Sequence, residues 1–200
     1  MMKIPFLTLS ITTLIVALFV VFGSAPDHLT WFSQDGLQQP FRLFSAHFVH
    51  SDIEHLTWNT GAFLLLGSII EQFSRRDLVL SIFVGIMSVN VYLLLLYDLN
   101  AYVGLSGVLN SVLIAVLFTL SKQQGYQTAT NSILVLSMLK IIFELYSDQS
   151  LFSSISWSAV PEAHLFGWLA GVMLIVVKSL FHINKQSIYK ISYSKLNLNT

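Results

Sequence analysis

Three short stretches carry the residue types needed for acyl transfer. They are His55 with Asn59, Ser106 between Gly104 and Gly107 with Asn110 following, and His164 with Gly167 and Gly171. A serine hydroxyl is a weak nucleophile until a neighbouring base takes its proton, and histidine is the usual base. Attack on an amide creates an oxyanion, which needs donors already in place. His55, the Asn59 amide and the backbone N–H of Ser106 are the candidates for that role. Each stretch also has a plainer reading. Gly-x-Ser-Gly on its own is more often the small-residue spacing of closely packed helices. A histidine at a helix entrance is commonly interfacial or bonded to backbone. His55 with Asn59 can simply bridge neighbouring helices. Lys140 and Glu144, four apart, read as an ion pair along one helix, with no catalytic role.

These residues need elements to hold them, and composition says what those elements are. The chain is 54% apolar and only 10% charged, with a mean hydropathy of +0.71. A soluble domain would carry roughly a quarter charged residues. The sequence therefore predicts an all-α integral membrane protein. Zero net charge gives no basic surface for nucleic acid, and the absence of cysteine removes disulfides, thiolate metal sites and a Cys nucleophile together. About 20 mostly apolar residues are needed to cross a bilayer. Six stretches qualify: about 6–22, 53–72, 78–97, 103–121, 129–147 and 162–182. Lys3 before the first and Gly23-Ser24-Ala25 after it resemble a signal peptide. Its apolar core exceeds the roughly 7–15 residues of such segments, which predicts a retained helix. Residues 1–200 read as one compact bundle without repeats or linkers.

The positive charges orient the bundle. With the N-terminus inside, the inner segments hold Lys3, Arg75, Arg76, Lys122, Lys178, Lys185, Lys190 and Lys195, leaving only Arg42 in the outer loops and Lys140 within a span. That bias predicts both termini inside. The second, fourth and sixth segments then run inward from the outer face. His55, Ser106 and His164 each stand near the start of one of them, so all three share a depth near the outer leaflet. Within each segment the partner residues share a face: His55 and Asn59 are four apart, as are Ser106 and Asn110, while His164, Gly167 and Gly171 stand at i, i+3 and i+7. Glycines at 107, 167 and 171 would let two helices approach until His164 reaches Ser106. The loop of about residues 23–52 carries Trp31, Phe32, Phe41, Phe44 and Phe48. It suits either the membrane interface or an ordinary cap on the bundle.

Over residues 41–172 these motifs resemble the rhomboid intramembrane serine proteases. The likeness lies in His50, His55 and Asn59 (H-x-x-x-x-H-x-x-x-N), in Gly104-Leu105-Ser106-Gly107, and in Ala163-His164-x-x-Gly167-x-x-x-Gly171. Phe41-Arg42 is similar to the family's Trp-Arg pair in the first loop. The resemblance implies a six-helix rhomboid-like bundle with Ser106 as nucleophile and His164 as general base. It implies an oxyanion hole from His55, Asn59 and the Ser106 backbone. Support would come from His50, Arg42, Gly104, Gly107, Asn110, Gly167 and Gly171. It implies no metal or other cofactor, and no third acidic group beside the serine and histidine. Position 110 is often a Tyr that stacks on the catalytic His; Asn110 cannot stack so. The stretch G-L-S-G-V-L-N-S and the short chain are similar to the rhombosortase branch, which usually has His at that position. That branch implies transmembrane substrates with a C-terminal Gly-Gly, a hydrophobic helix and a basic tail.

The function these residues point to is peptide-bond hydrolysis in membrane anchors near the outer face. The resemblance implies that substrates enter from the lipid between the second and fifth segments. A bacterial inner membrane, with the site on the periplasmic or outer side, is the implied location. The alternative is a silent rhomboid-like protein that binds transmembrane helices without cutting them, against which the intact serine and histidine argue. A transporter or channel would need polar residues running through the bundle, whereas here they gather mainly at one end.

Overall fold

The computed structural model describes residues 3–35, 37–95, 100–147 and 160–196, with side chains in the last stretch as far as residue 180. Its helices are α1 (Phe6–Phe22), α2 (Arg42–Ser45), α3 (Ile53–Phe73), α4 (Arg75–Leu95), α5 (Ser106–Ser121), α6 (Gln127–Ser147) and α7 (Pro161–Leu196). The six apolar stretches all become helices, with ends set by local chemistry that an apolar count does not see. Asp52 caps α3 by accepting from the His55 N–H at 2.7 Å. The Ser74 hydroxyl accepts from the Asp77 N–H at 3.1 Å, so α4 begins in the polar Arg75-Arg76-Asp77 run, before the predicted residue 78. Residues 96 and 97, the predicted end of that segment, lie outside the described residues. Pro161 opens α7, where its missing N–H costs nothing. The backbone of α7 continues well beyond residue 182 because no Gly or Pro interrupts it before Leu196.

Among the described residues, three helices can cross a membrane by length and composition: α4, α6 and the first 20 residues of α7. The other three predicted spans fall short in different ways. α1 and α5 are apolar but have 17 and 16 residues, giving about 24–26 Å of helix against a core of about 30 Å. α3 has 21 residues but carries Glu54, His55, Asn59 and Glu71.

α5 is the shortest of the long helices and sits at the centre, flanked by α3, α4, α6 and α7, while α1 docks on α3. Nine of its residues are buried, including Val112 and Val116. The α1–α3 contact is polar at one end. The buried Glu71 carboxylate accepts from the N–H groups of Leu7 and Thr8 and from the Thr8 hydroxyl, at 3.1, 2.9 and 2.9 Å. Those two N–H groups belong to the first turn of α1 and have no partner within the helix. A carboxylate from another helix thus serves as the cap.

The first loop is pinned to the segment that leads into α5. Strand β1 (Trp31–Phe32) pairs antiparallel with β2 (Ala101–Tyr102), Trp31 opposite Tyr102. The Gly104 N–H donates to the Ala46 carbonyl at 2.8 Å. Trp31 is buried, whereas Phe41 and Phe44 are about half exposed.

Candidate active site

Ser106 is the first residue of α5 and His164 the fourth of α7. Ser106 Oγ lies 3.0 Å from His164 Nε2. Their helices meet backbone to backbone. A Cβ on Gly167 would collide with the Gly107 carbonyl, and one on Gly171 would stand 2.7 Å from Ile114 Cβ and 3.0 Å from the Ser111 carbonyl oxygen. Residues with side chains at these positions would hold the serine and histidine apart.

The other imidazole nitrogen has a partner the sequence reading did not assign. His164 Nδ1 lies 2.9 Å from Glu144 Oε2, and Lys140 Nζ lies 2.7 Å from the same oxygen. Glu144 is fully buried, and the Lys140 side chain is 29% exposed. The ion pair read from the sequence is present, and it is one half of a larger chain of contacts. A carboxylate inside an apolar helix was itself the signal, because such groups mark function more often than packing.

On the other side of Ser106, Gly104 adopts φ +111°, a left-handed conformation that favours glycine. The His55 imidazole occupies the space where a Cβ on Gly104 would stand, and Asn59 Nδ2 would lie 3.5 Å from that atom. Asn59 Nδ2 is buried and has no hydrogen-bond partner among the described residues. His55 Nδ1 lies 3.0 Å from Ser51 Oγ, which donates to Asp52 at 2.8 Å. With the Ser51 hydroxyl proton directed at Asp52, His55 Nδ1 is the donor to Ser51 Oγ, and the neutral ring then leaves Nε2 as an acceptor. Asn59 Nδ2 is a donor in every protonation state.

The supporting residues fall around this core. His50 is fully buried and meets the His55 ring edge-on, with centroids 5.0 Å apart. Burial, together with the neighbouring His55, lowers its pKa to about 3. The Arg42 guanidinium lies over the Phe32 ring, 5.5 Å from its centroid. Asn110 Nδ2 donates back to the Ser106 carbonyl at 2.9 Å, so it steadies the first turn of α5. His47, which no motif marks, is buried, lies 3.0 Å from Asn90 Oδ1 through Nε2, and packs edge-on against Tyr102. Burial lowers its pKa to about 4. Burial also raises the Tyr102 pKa, keeping its hydroxyl protonated to donate to the Gly104 carbonyl at 3.1 Å. Among the described residues, no cluster of three or more His, Asp or Glu side chains is placed to hold a metal ion.

The family model for the Rhomboid domain matches residues 37–181. The chain belongs to the rhomboid family. The match takes in every residue of the site and leaves α1 outside it. Rhomboids are integral membrane proteins, generally intramembrane serine proteases acting on transmembrane substrates, although inactive members exist. Neither a curated protein nor a solved structure matches this rhomboid.

Proposed function

We propose that this rhomboid is an active intramembrane serine endopeptidase, with Ser106 as nucleophile and His164 as general base. The observation that carries the reading is the 3.0 Å approach of Ser106 Oγ to His164 Nε2, since a base must stand within hydrogen-bond reach of the proton it takes. His164 accepts the Ser106 proton as Oγ attacks the scissile carbonyl carbon, then gives it to the departing amine. Water releases the acyl-enzyme by the same route in reverse. The oxyanion meets the Ser106 N–H and Asn59 Nδ2, with His55 beside them. The N-terminal dipole of α5 favours the same negative charge.

The wider reading is a single rhomboid-like domain over residues 1–200 with six crossings, both termini inside and the site at the outer face of a bacterial inner membrane. The skew of Lys and Arg supports it. Likeness to the rhombosortase branch in G-L-S-G-V-L-N-S supports anchors with a C-terminal Gly-Gly as substrates. Glycine weakens a helix by about 1 kcal/mol relative to Ala, so a Gly-Gly segment unwinds toward the serine at low cost.

The test is labelling by a fluorophosphonate probe in detergent. Wild type should label, and Ser106→Ala and His164→Ala should not. Asn59→Ala should label about 10²- to 10³-fold more slowly. Folded wild type that fails to label would support the silent, helix-binding alternative. Labelling that survives Ser106→Ala would move the nucleophile elsewhere. An anchor ending in Gly-Gly, a hydrophobic helix and a basic tail should be cut, and its Val-Val counterpart should not.

A further inference from the structure

We propose that Glu144 is the acidic member of a Ser-His-Glu arrangement, a positioning residue that acts through His164, with Lys140 setting its charge balance. The inference rests on the serine protease reading and adds to it an acid that the resemblance does not imply.

The geometry carries it. Glu144 Oε2 faces His164 Nδ1 at 2.9 Å, and His164 Nε2 faces Ser106 Oγ at 3.0 Å. An ionised carboxylate only accepts, so its neighbour Nδ1 must carry the ring proton. Nε2 is then the bare nitrogen, turned toward the serine, and the ring is held in the tautomer that can act as a base. During attack the Ser106 O–H bond breaks, its proton moves to Nε2, and the Oγ–C bond forms as the carbonyl electrons pass to oxygen. Glu144 takes no proton. It faces the imidazolium that has just formed in a site only 8% exposed.

Lys140 explains how the acid stays ionised there. A lone buried carboxylate would cost several kcal/mol or pick up a proton. Lys140 Nζ sits 2.7 Å from the same oxygen, on a side chain that is part-exposed. The Lys140–Glu144 pair is neutral by itself, and the serine proton on His164 adds one positive charge beside it. A purely structural ion pair would need no histidine on its shared oxygen.

Removing each partner should move the acidic limb of the pH–rate profile in opposite directions. Without the carboxylate, imidazolium is harder to form and the limb shifts to lower pH. Without the lysine, imidazolium is easier to form and the limb shifts to higher pH. Among the described residues, the titratable and charged groups around His164 are Glu144 and Lys140 on α6, Ser106 on α5, His55 on α3, and Glu162 on its own helix with the Tyr92 hydroxyl of α4, which donates to Glu162 at 3.2 Å.

The experiment measures the rate of Ser106 phosphonylation by the fluorophosphonate between pH 5 and pH 9, for full-length wild type, Glu144→Gln, Glu144→Asp and Lys140→Met, each checked for an intact unfolding transition. We expect Glu144→Gln to lower the plateau between about 10²- and 10⁴-fold and to move the acidic limb down. Glu144→Asp should restore the limb position in part, and Lys140→Met should move it up. A Glu144→Gln plateau within about threefold of wild type, or limbs that do not move apart, would overturn the proposal. Proton NMR of the histidine ring supplies a readout independent of activity. A downfield Nδ1–H resonance should be present in wild type and lost in both His164→Ala and Glu144→Gln. Its absence from wild type sinks the Glu144 assignment. A wild type that shows this resonance but never reacts with the probe refutes the protease reading alone.

Discussion

Gly167→Ala tests whether the contact between α5 and α7 sets the distance on which the chemistry depends. The added methyl would fall on the Gly107 carbonyl and stand 2.8 Å from its carbon, against about 3.5 Å for relaxed carbon contacts. Backbone stands on both sides, so no side-chain rotation relieves the clash, and the helices must part by about 1 Å. Gly107 adjoins Ser106, and Gly167 is one turn after His164, so the opening is transmitted to the pair. A 3.0 Å hydrogen bond stretched by that amount is no longer one. A displacement of this size costs about 10²-fold in rate. Overpacking should also lower stability by about 1–3 kcal/mol, less the fraction of a kcal/mol that Ala gains over Gly in a helix. The assay pairs fluorophosphonate labelling rates with unfolding in detergent. Gly61→Ala is the control: it sits in α3 with nothing within 4 Å of the added methyl, and should label like wild type. A Gly167→Ala protein that labels within about threefold of wild type, with an unchanged unfolding midpoint, would refute the argument.

Two further outcomes follow from buried groups outside the chemistry. Glu71→Ala leaves the first-turn N–H groups of Leu7 and Thr8 without their acceptor. It should lower unfolding free energy by roughly 3 kcal/mol, measured by denaturant titration in mixed micelles; equal stability would mean that α1 does not depend on this cap. His47 and His50 have folded pKa values lowered to about 4 and about 3, against 6.5 for the ordinary group. Between those values the unfolded chain binds more protons, so stability is full above about pH 6.5 and falls as the pH drops toward 4. His47 alone accounts for about 3 kcal/mol of that loss. Unfolding free energies that agree at pH 7.5 and pH 4.5 would contradict the neutral, buried state.

Much of the site could be read from the sequence because its residues lie near the start of helices that run the same way. Position at the helix starts and a spacing of four were enough to expect Ser106 near His164 and Asn59 on a face with His55. The contact of Glu144 with His164 was hidden for the opposite reason. A spacing of four along α6 gives a complete account of Lys140 with Glu144, and nothing in one helix says which side chain of another stands opposite it. The start of α5 was missed by three residues because Tyr102 belongs to a strand pair and Gly104 to a left-handed turn. An apolar run records neither. The 36-residue length of α7 was hidden where hydropathy falls but helical backbone continues. The crossing count shows the limit of composition, since α3, with polar groups near both ends, looks least like a span and carries His55 and Asn59.

On the proposed reading, the placement of Glu144 ties chemistry to the position of one helix. Ser106 and His164 ride on α5 and α7, locked together through glycine, whereas α6 packs chiefly on those two and leaves Val135, Leu139, Ile142 and Phe143 exposed on its outer side. An outward swing of α6 would part Glu144 from His164 before it disturbed the serine and its base. The opened molecule would keep its nucleophile and base in register but lose the acid behind them, and would stay slow until α6 returned. On the proposed reading such an arrangement would act as an interlock: water entering ahead of a substrate would meet a weakened enzyme, and full reactivity would come only with closure.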